Sequence, residues 1–174
     1  MYHEIERKFL VNDMPSLRGI RKVPQERYFI QRGELFEEGM KRKGDTYTYE
    51  SKFMLSKDEK KREQIIVTQE EFETSKSRGT SIIERDSYSL TKKSPVISIK
   101  KYHGTYSGLI LAEVEFDTID EMEDFIPLDW MGPEVTHTPL GKDARLVDLT
   151  REKFVKILGD IKDNYEMVRS GSFL

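Results

Sequence analysis

The chain has 174 residues, with 29 Lys and Arg against 32 Asp and Glu, a net charge of −3 and a charged fraction of 35% beside 36% hydrophobic. Balanced charge excludes a polyanion-binding face or an acidic tail as the dominant feature, and zero cysteines exclude a disulfide scaffold, thiolate catalysis and a thiolate-bound metal. No run approaches the roughly 20 apolar residues of a membrane helix and the start MYHEIERKFLV has no signal-peptide core, so a single soluble, cytoplasmic domain is expected.

The first residues alternate. Glu4, Glu6 and Lys8 fall on one face of a strand and Ile5, Arg7 and Phe9 on the other, because side chains two apart share a face. A second strand is predicted over 27–32, and two more over 35–43 and 46–55 joined by the turn Gly44-Asp45. The segment 56–61, SKDEKK, reads as a solvated loop because its signs are mixed, and strand resumes over 62–67. Thr68 and Glu71 have capping-box spacing and predict a helix over 69–78 stopped by Gly79. Strands follow over 81–90, 96–102 and 109–116. Thr118 and Glu121 repeat the box and open a short helix ended by Pro127, whose leading acids suit the positive end of its dipole. Gly132-Pro133 and Thr138-Pro139 mark irregular connections. Phe154, Ile157, Leu158, Ile161 and Tyr165 recur at helical spacing, predicting an amphipathic helix over 150–168 before a frayed tail, 169–174. The organisation is one antiparallel, β-rich unit over 1–149 with helices around it, followed by the terminal helix.

Several familiar motifs are missing. There is no GxxxxGK[ST] phosphate loop, GxGxxG, HExxH or DxDxDG, and His3, His103 and His137 lack ligand spacing. In Gly104-Thr105-Tyr106-Ser107-Gly108 the serine falls one position too late for a nucleophile elbow. What remains is two acidic pairs, Glu4-x-Glu6 and Glu113-x-Glu115, each on a strand whose other face is apolar. Taken singly, such pairs are more often solvated outer faces than ligands. If the two strands are neighbours, four carboxylates converge and need cations to offset their repulsion. Hard divalent ions such as Mg²⁺ or Mn²⁺ suit an all-oxygen set. Phe125 and Trp130 read as packing anchors.

The first motif extends to Glu4-Ile5-Glu6-Arg7-Lys8, an ExExK signature. Together with the strand 109–116, the helix ending Phe125-Ile126-Pro127 and the segment 130–136, it makes the chain from Tyr2 to about Asp148 resemble a CYTH domain. That domain belongs to the triphosphate tunnel metalloenzyme superfamily, and the likeness is to its compact bacterial, triphosphatase-like members. The resemblance implies an α+β fold: an eight-stranded antiparallel β-barrel, or tunnel, with surrounding helices and a C-terminal helix. It implies Glu4, Glu6, Glu113 and Glu115 as ligands of Mg²⁺ or Mn²⁺, and Lys8, Lys41, Lys52, Arg62, Arg85 and Lys142 as substrate-binding. Glu4, Glu6 and Lys8 would be catalytic. The implied activity is metal-dependent hydrolysis of inorganic triphosphate or of a nucleoside or organic triphosphate. A small triphosphate or polyphosphate is the implied partner; a homodimer is compatible with the family, and neither a membrane nor nucleic acid is expected.

The chain departs from the family pattern at several lumen positions. Gly39-Met40-Lys41 stands where relatives carry Arg-x-Arg, Glu50 replaces a threonine, Gln64 and Ile66 replace acids, Ser87 replaces a base, and Lys100 replaces a carboxylate. A one-residue slip around 39–43 would turn Arg42 inward instead of Lys41. The inferred lumen sets Glu4, Glu6, Glu50, Glu113 and Glu115 against Lys8, Lys41, Lys52, Arg62, Arg85 and Lys100. These departures keep a second reading open, a non-hydrolytic or redirected binder of a phosphorylated ligand. A third is an interaction module in which the terminal helix matters most.

Overall fold

Nearly every strand carries charge on one face and apolar side chains on the other, and the sheet rolls up with the charged face inward. The structure, a computed structural model, describes residues 2–171. Eight antiparallel strands form the barrel: β1 (Tyr2–Val11), β2 (Lys22–Arg32), β3 (Phe36–Lys43), β4 (Thr46–Met54), β5 (Glu59–Val67), β6 (Ile83–Ser89), β7 (Val96–Tyr102) and β8 (Ile110–Phe116). The order around the ring is β1-β5-β4-β3-β2-β6-β7-β8. It closes on both sides of β1, through pairs such as Glu4↔Lys60 with β5 and Glu6↔Glu115 with β8. A ninth strand, β9 (Met131–Glu134), lies outside the ring against the end of β1.

Three apolar clusters hold this ring. On the outside, Ile5, Phe9, Ile97, Val114 and Phe116 are covered by Met122 of α2 (Ile119–Asp124) and by Met131. Also outside, Tyr28 and Met40 pack on Phe72 of α1 (Gln69–Ser75), and the Tyr28 hydroxyl donates to the Phe72 carbonyl at 2.6 Å. The third cluster caps one end of the barrel. There the inward faces of Leu10, Phe29, Ile83, Tyr102 and Leu111 meet Val135 and Leu140, Leu146 of the one-turn α3 (Asp143–Leu146), and Phe154 and Leu158 of α4 (Arg151–Ser170). Helix α4 is therefore docked through its first half, while Val155, Met167 and Val168 face solvent. Among the described residues no helix is long and apolar enough to cross a membrane.

The expected eight strands and the terminal helix are present, with informative differences at their edges. The capping box of α1 forms as expected, although the helix tightens to a 3-10 turn over Lys76–Arg78 before Gly79. Strand β2 begins at Lys22, five residues before the expected start at 27. Strand β5 begins at Glu59, so the latter half of the supposed solvated loop 56–61 is strand, with Lys60 turned into the lumen beside Glu4 and Glu6. The segment holding Gly132-Pro133 is not irregular but forms β9, whose proline sits on an outer strand where a missing N–H is tolerated. Helix α4 continues through Ser170 to Gly171, which takes the left-handed conformation of a C-cap, so residues 169 and 170 are not frayed. The rest of the expected tail, 172–174, lies outside the described residues.

Candidate active site

The register of β1 on β8 brings the two acidic pairs together. Glu6 lies opposite Glu115, and Lys8 opposite Glu113. One carboxylate oxygen each from Glu4, Glu6 and Glu115 lies within 4.8 Å of the others. Glu113 is not part of this triad: the Lys8 ammonium stands 3.9 Å from it and 3.4 Å from Glu6. Burial pushes Glu115 up to about 7, and the like charges of Glu113, Glu6 and Glu4 push the same way. Burial also disfavours the charged form of Glu113, yet Lys8, Lys100 and Arg85 outweigh it and bring that carboxyl down to about 2. The triad offers only hard oxygen donors and carries uncompensated mutual repulsion at Glu115. Both properties fit a divalent cation of the Mg²⁺ or Mn²⁺ type.

On the other side of β1 the balance reverses. Glu4 is 5% exposed and receives Lys52 at 3.0 Å, Arg62 at 3.2 Å and Lys60 at 3.9 Å. Burial opposes its ionisation, but these three cations hold it well below the usual carboxylate range. Arg62 also reaches Glu50, which accepts from Gln64 at 2.8 Å and stands 3.9 Å from Lys41. Lys41 is the most crowded cation: burial, with Arg85, Arg62 and Arg27 nearby, drives it well below the ordinary lysine value against the single pull of Glu50. Among the described residues, the buried Nε atoms of Arg27 and Arg62 have no hydrogen-bond partner. On this side the Lys41 ammonium and two buried guanidinium donors are left incompletely paired.

Asp143 organises the lumen floor. It accepts from Arg85 at 2.7 Å, Arg27 at 3.2 Å and the Tyr102 hydroxyl at 2.7 Å, while Arg85 also donates to Gln25 at 2.8 Å. Despite its burial, Arg85, Arg27 and Lys8 keep Asp143 far below the usual carboxylate range. Outside this floor the barrel opens into a cavity of about 1090 Å³, lined among others by Lys52, Lys60, Arg27, Glu37 and Lys142. Lys142 is part of that opening and belongs to no described ion pair, as expected of a group at a mouth.

Of the ten site residues proposed from sequence, nine point into the lumen and Lys142 lines its opening. The register around 39–43 turns Lys41 inward, and Arg42 pairs outside with Glu26 at 3.3 Å. Gly39 sits where β2 and β3 shift register, and a Cβ there would collide with the Tyr28 carbonyl oxygen. The absent arginine at 39 therefore reflects a close backbone approach as well as a lost charge. Lys100 and Ser87, two of the departures, face each other across β6 and β7. Sequence reasoning missed Arg27, Lys60, Glu37 and Asp143. Arg27 shares a strand face with Gln25 and opposes Tyr28, an alternation that was available. Asp143 opens the one-turn α3, too short to leave a periodic signal.

The comparisons bear on this geometry directly. A Nitrosomonas europaea protein named inorganic triphosphatase is 33% identical over 147 residues, covering 82% of this chain and 95% of its own. A crystal structure of an inorganic triphosphatase is 28% identical, with a TM-score of 0.61 over 84% of this chain and 95% of that one. A Pyrococcus horikoshii protein, 14% identical over 86% of this chain and 93% of its own at a TM-score of 0.53, shares the fold alone. No protein-family profile matches. A relative at this identity across nearly its full length, and a closed eight-stranded barrel around a lumen of paired charges, place the chain: it belongs to the CYTH, or triphosphate tunnel metalloenzyme, superfamily.

Proposed function

We propose that the protein is a divalent-metal-dependent triphosphatase whose preferred substrate is inorganic triphosphate, with nucleoside or organic triphosphates as further candidates. One observation carries this reading: within a single lumen, three converging carboxylates face a buried group of cations, Arg27, Lys41, Arg62 and Arg85, among which the Lys41 ammonium is under-compensated by its acids and the Nε donors of Arg27 and Arg62 have no partner among the described residues. The relative named inorganic triphosphatase supports the choice of substrate.

Glu4, Glu6 and Glu115 would hold Mg²⁺ or Mn²⁺, which when bound neutralises phosphate charge and acts as a Lewis acid. The chain's own groups do the rest. Arg62, Arg85, Arg27 and Lys41 bind the phosphate oxygens, offering planar forks of N–H donors and an ammonium in a water-poor space. Burial alone would depress Lys8, but Glu6, Glu113 and Asp143 hold it in the charged form, so it can counter the charge that develops on the terminal phosphoryl group. Water attacks the terminal phosphorus, the bridging P–O bond breaks, the water's proton passes to solvent or the departing products, and phosphate and diphosphate leave. Lys8, Lys100 and Arg85 outweigh the burial of Glu113 and hold it as a carboxylate.

A second reading, binding without turnover, has one observation in its favour: both oxygens of Glu4 are already engaged by cations. Phosphate release from tripolyphosphate and from ATP, with Mg²⁺, with Mn²⁺ and in EDTA, separates the two. Metal-dependent release is expected, and Glu6→Gln should lower it by about a hundredfold or more, the scale of losing a metal's contribution to phosphoryl transfer. Binding with no turnover under any metal would leave the binder reading standing alone.

A further inference from the structure

Lys100 differs from every other lumen cation. It is 7% exposed, and among the described residues no carboxylate oxygen comes within 4 Å of its ammonium. Its hydrogen bond goes instead to the Ser87 hydroxyl at 2.8 Å. By contrast, Lys8, Lys41, Lys52, Lys60 and Arg62 each stand within 4 Å of a lumen glutamate, and Arg27 and Arg85 share Asp143. A buried ammonium without a counter-ion is the most expensive arrangement a lumen can hold. Here the position is built: Ser87 is the direct partner of Lys100 across β6 and β7 and fixes where the ammonium sits. A neutral hydroxyl positions the charge without cancelling it.

The surroundings say what that charge is for. Lys100 pairs with Leu111 across β7 and β8, two residues along the same face of β8 from Glu113, and Arg85 lies two residues along β6 from its partner Ser87. Glu113 contributes no oxygen to the triad; the Lys8 ammonium stands 3.9 Å from it, and Lys8 and Lys100 both favour its charged form. Among the described residues Glu113 belongs to no group of three ligand oxygens close enough to share an ion, and the Lys8 ammonium stands within 4 Å of both Glu113 and Glu6. We infer that this tunnel holds one divalent cation, on Glu4, Glu6 and Glu115, and that Lys100, positioned by Ser87, is a substrate-binding residue. It supplies beside Glu113 a second positive charge, directed at the phosphate oxygens. The inference rests on the triphosphate reading and deepens it.

Two measurements test it, neither of which needs turnover. First, the metal-free protein is titrated with MnCl₂, with free Mn²⁺ followed by electron paramagnetic resonance, without and then with tripolyphosphate. One Mn²⁺ per chain is expected on the protein alone, lost in Glu6→Gln. Lys100→Glu should gain a second. Two Mn²⁺ per wild-type chain without tripolyphosphate, or no gain in Lys100→Glu, overturns the single-ion assignment. Second, tripolyphosphate binding is measured by calorimetry in EDTA. Lys100→Met should weaken it about tenfold or more, the loss expected of a charge-assisted contact, with Lys100→Arg keeping most of it. Affinity unchanged in Lys100→Met overturns the assignment to substrate. The Met variant removes an unpaired buried charge and so should fold; Lys100→Gln gives the same comparison if it does not. A wild type that binds neither Mn²⁺ nor tripolyphosphate and turns over nothing defeats the triphosphatase reading itself. Normal metal-dependent turnover with two Mn²⁺ bound defeats only this inference.

Discussion

Asp143 and Lys100 are buried charges with opposite energetics. Asp143 satisfies two guanidinium groups and a hydroxyl at once. Asp143→Asn removes the charge that Arg27 and Arg85 share, and should cost roughly 3–5 kcal/mol in urea unfolding, the scale of breaking a buried ion pair. Because Asp143 is held far below the ordinary aspartate value of 3.8, its contribution is fully present above that value and is lost as the pH falls below it. Lys100 works the other way. Burial brings it from 10.5 to about 8, against the pull of Glu113 and Glu115 and with Arg85 and Lys43 adding to the depression. Between those two values the unfolded chain holds more protons, so stability rises with pH across this window, and the full penalty applies below it. Lys100→Met should therefore stabilise the ligand-free protein by roughly 1–3 kcal/mol at pH 7, with the gain shrinking toward pH 10.5. A variant no more stable than wild type at pH 7 would show that the ammonium is relaxed by something other than substrate. Neither behaviour could be read from sequence, since the number of acids around a lysine depends on register between strands that are distant in the chain.

At the level of elements, legibility followed the alternation. Strands β1 and β8 were recognisable because Glu4, Glu6, Glu113 and Glu115 interleave with Ile5, Val114 and Phe116, and the faces they predicted are the faces observed. Strand β5 was cut short because Glu59, Lys60 and Lys61 are all charged. The rule that mixed charge means a solvated loop inverts when the inside of the barrel is itself charged. Strand β9 was hidden by its proline and by its short length of four residues. The β2–β3 pairing carries the sharpest local constraint, because Gly39 leaves no room for a side chain against Tyr28 and its Phe29 neighbour. Gly39→Ala should lower the thermal midpoint, at a cost of about 1–3 kcal/mol for overpacking a site that cannot give way. If the midpoint does not move, the register shift at Phe29 and Gln31 is softer than its geometry implies.

For the whole molecule, a ligand that binds only the folded barrel must raise its stability. Tripolyphosphate at a hundred times its dissociation constant should add about 2.7 kcal/mol to unfolding, a rise that thermal melts detect. That gain should shrink as NaCl rises and screens the approach through the open, cation-lined end. An unchanged melt at every tripolyphosphate concentration argues against lumen binding. The overall charge of −3, spread over 61 ionisable acids and bases, gave no hint of this, since it sums surface and lumen alike. It was the family resemblance that the ExExK motif helps to carry, not the composition, that implied where the inner charges lie. The ring closure of the strands then has a further meaning. Water stabilises a growing charge by turning its dipoles, and that turning is work done anew in each event. Here the charges hang from strands bonded on both sides, so their orientation was set once, during folding. The barrel interior behaves as a frozen polar solvent, arranged before the triphosphate we propose as its substrate arrives.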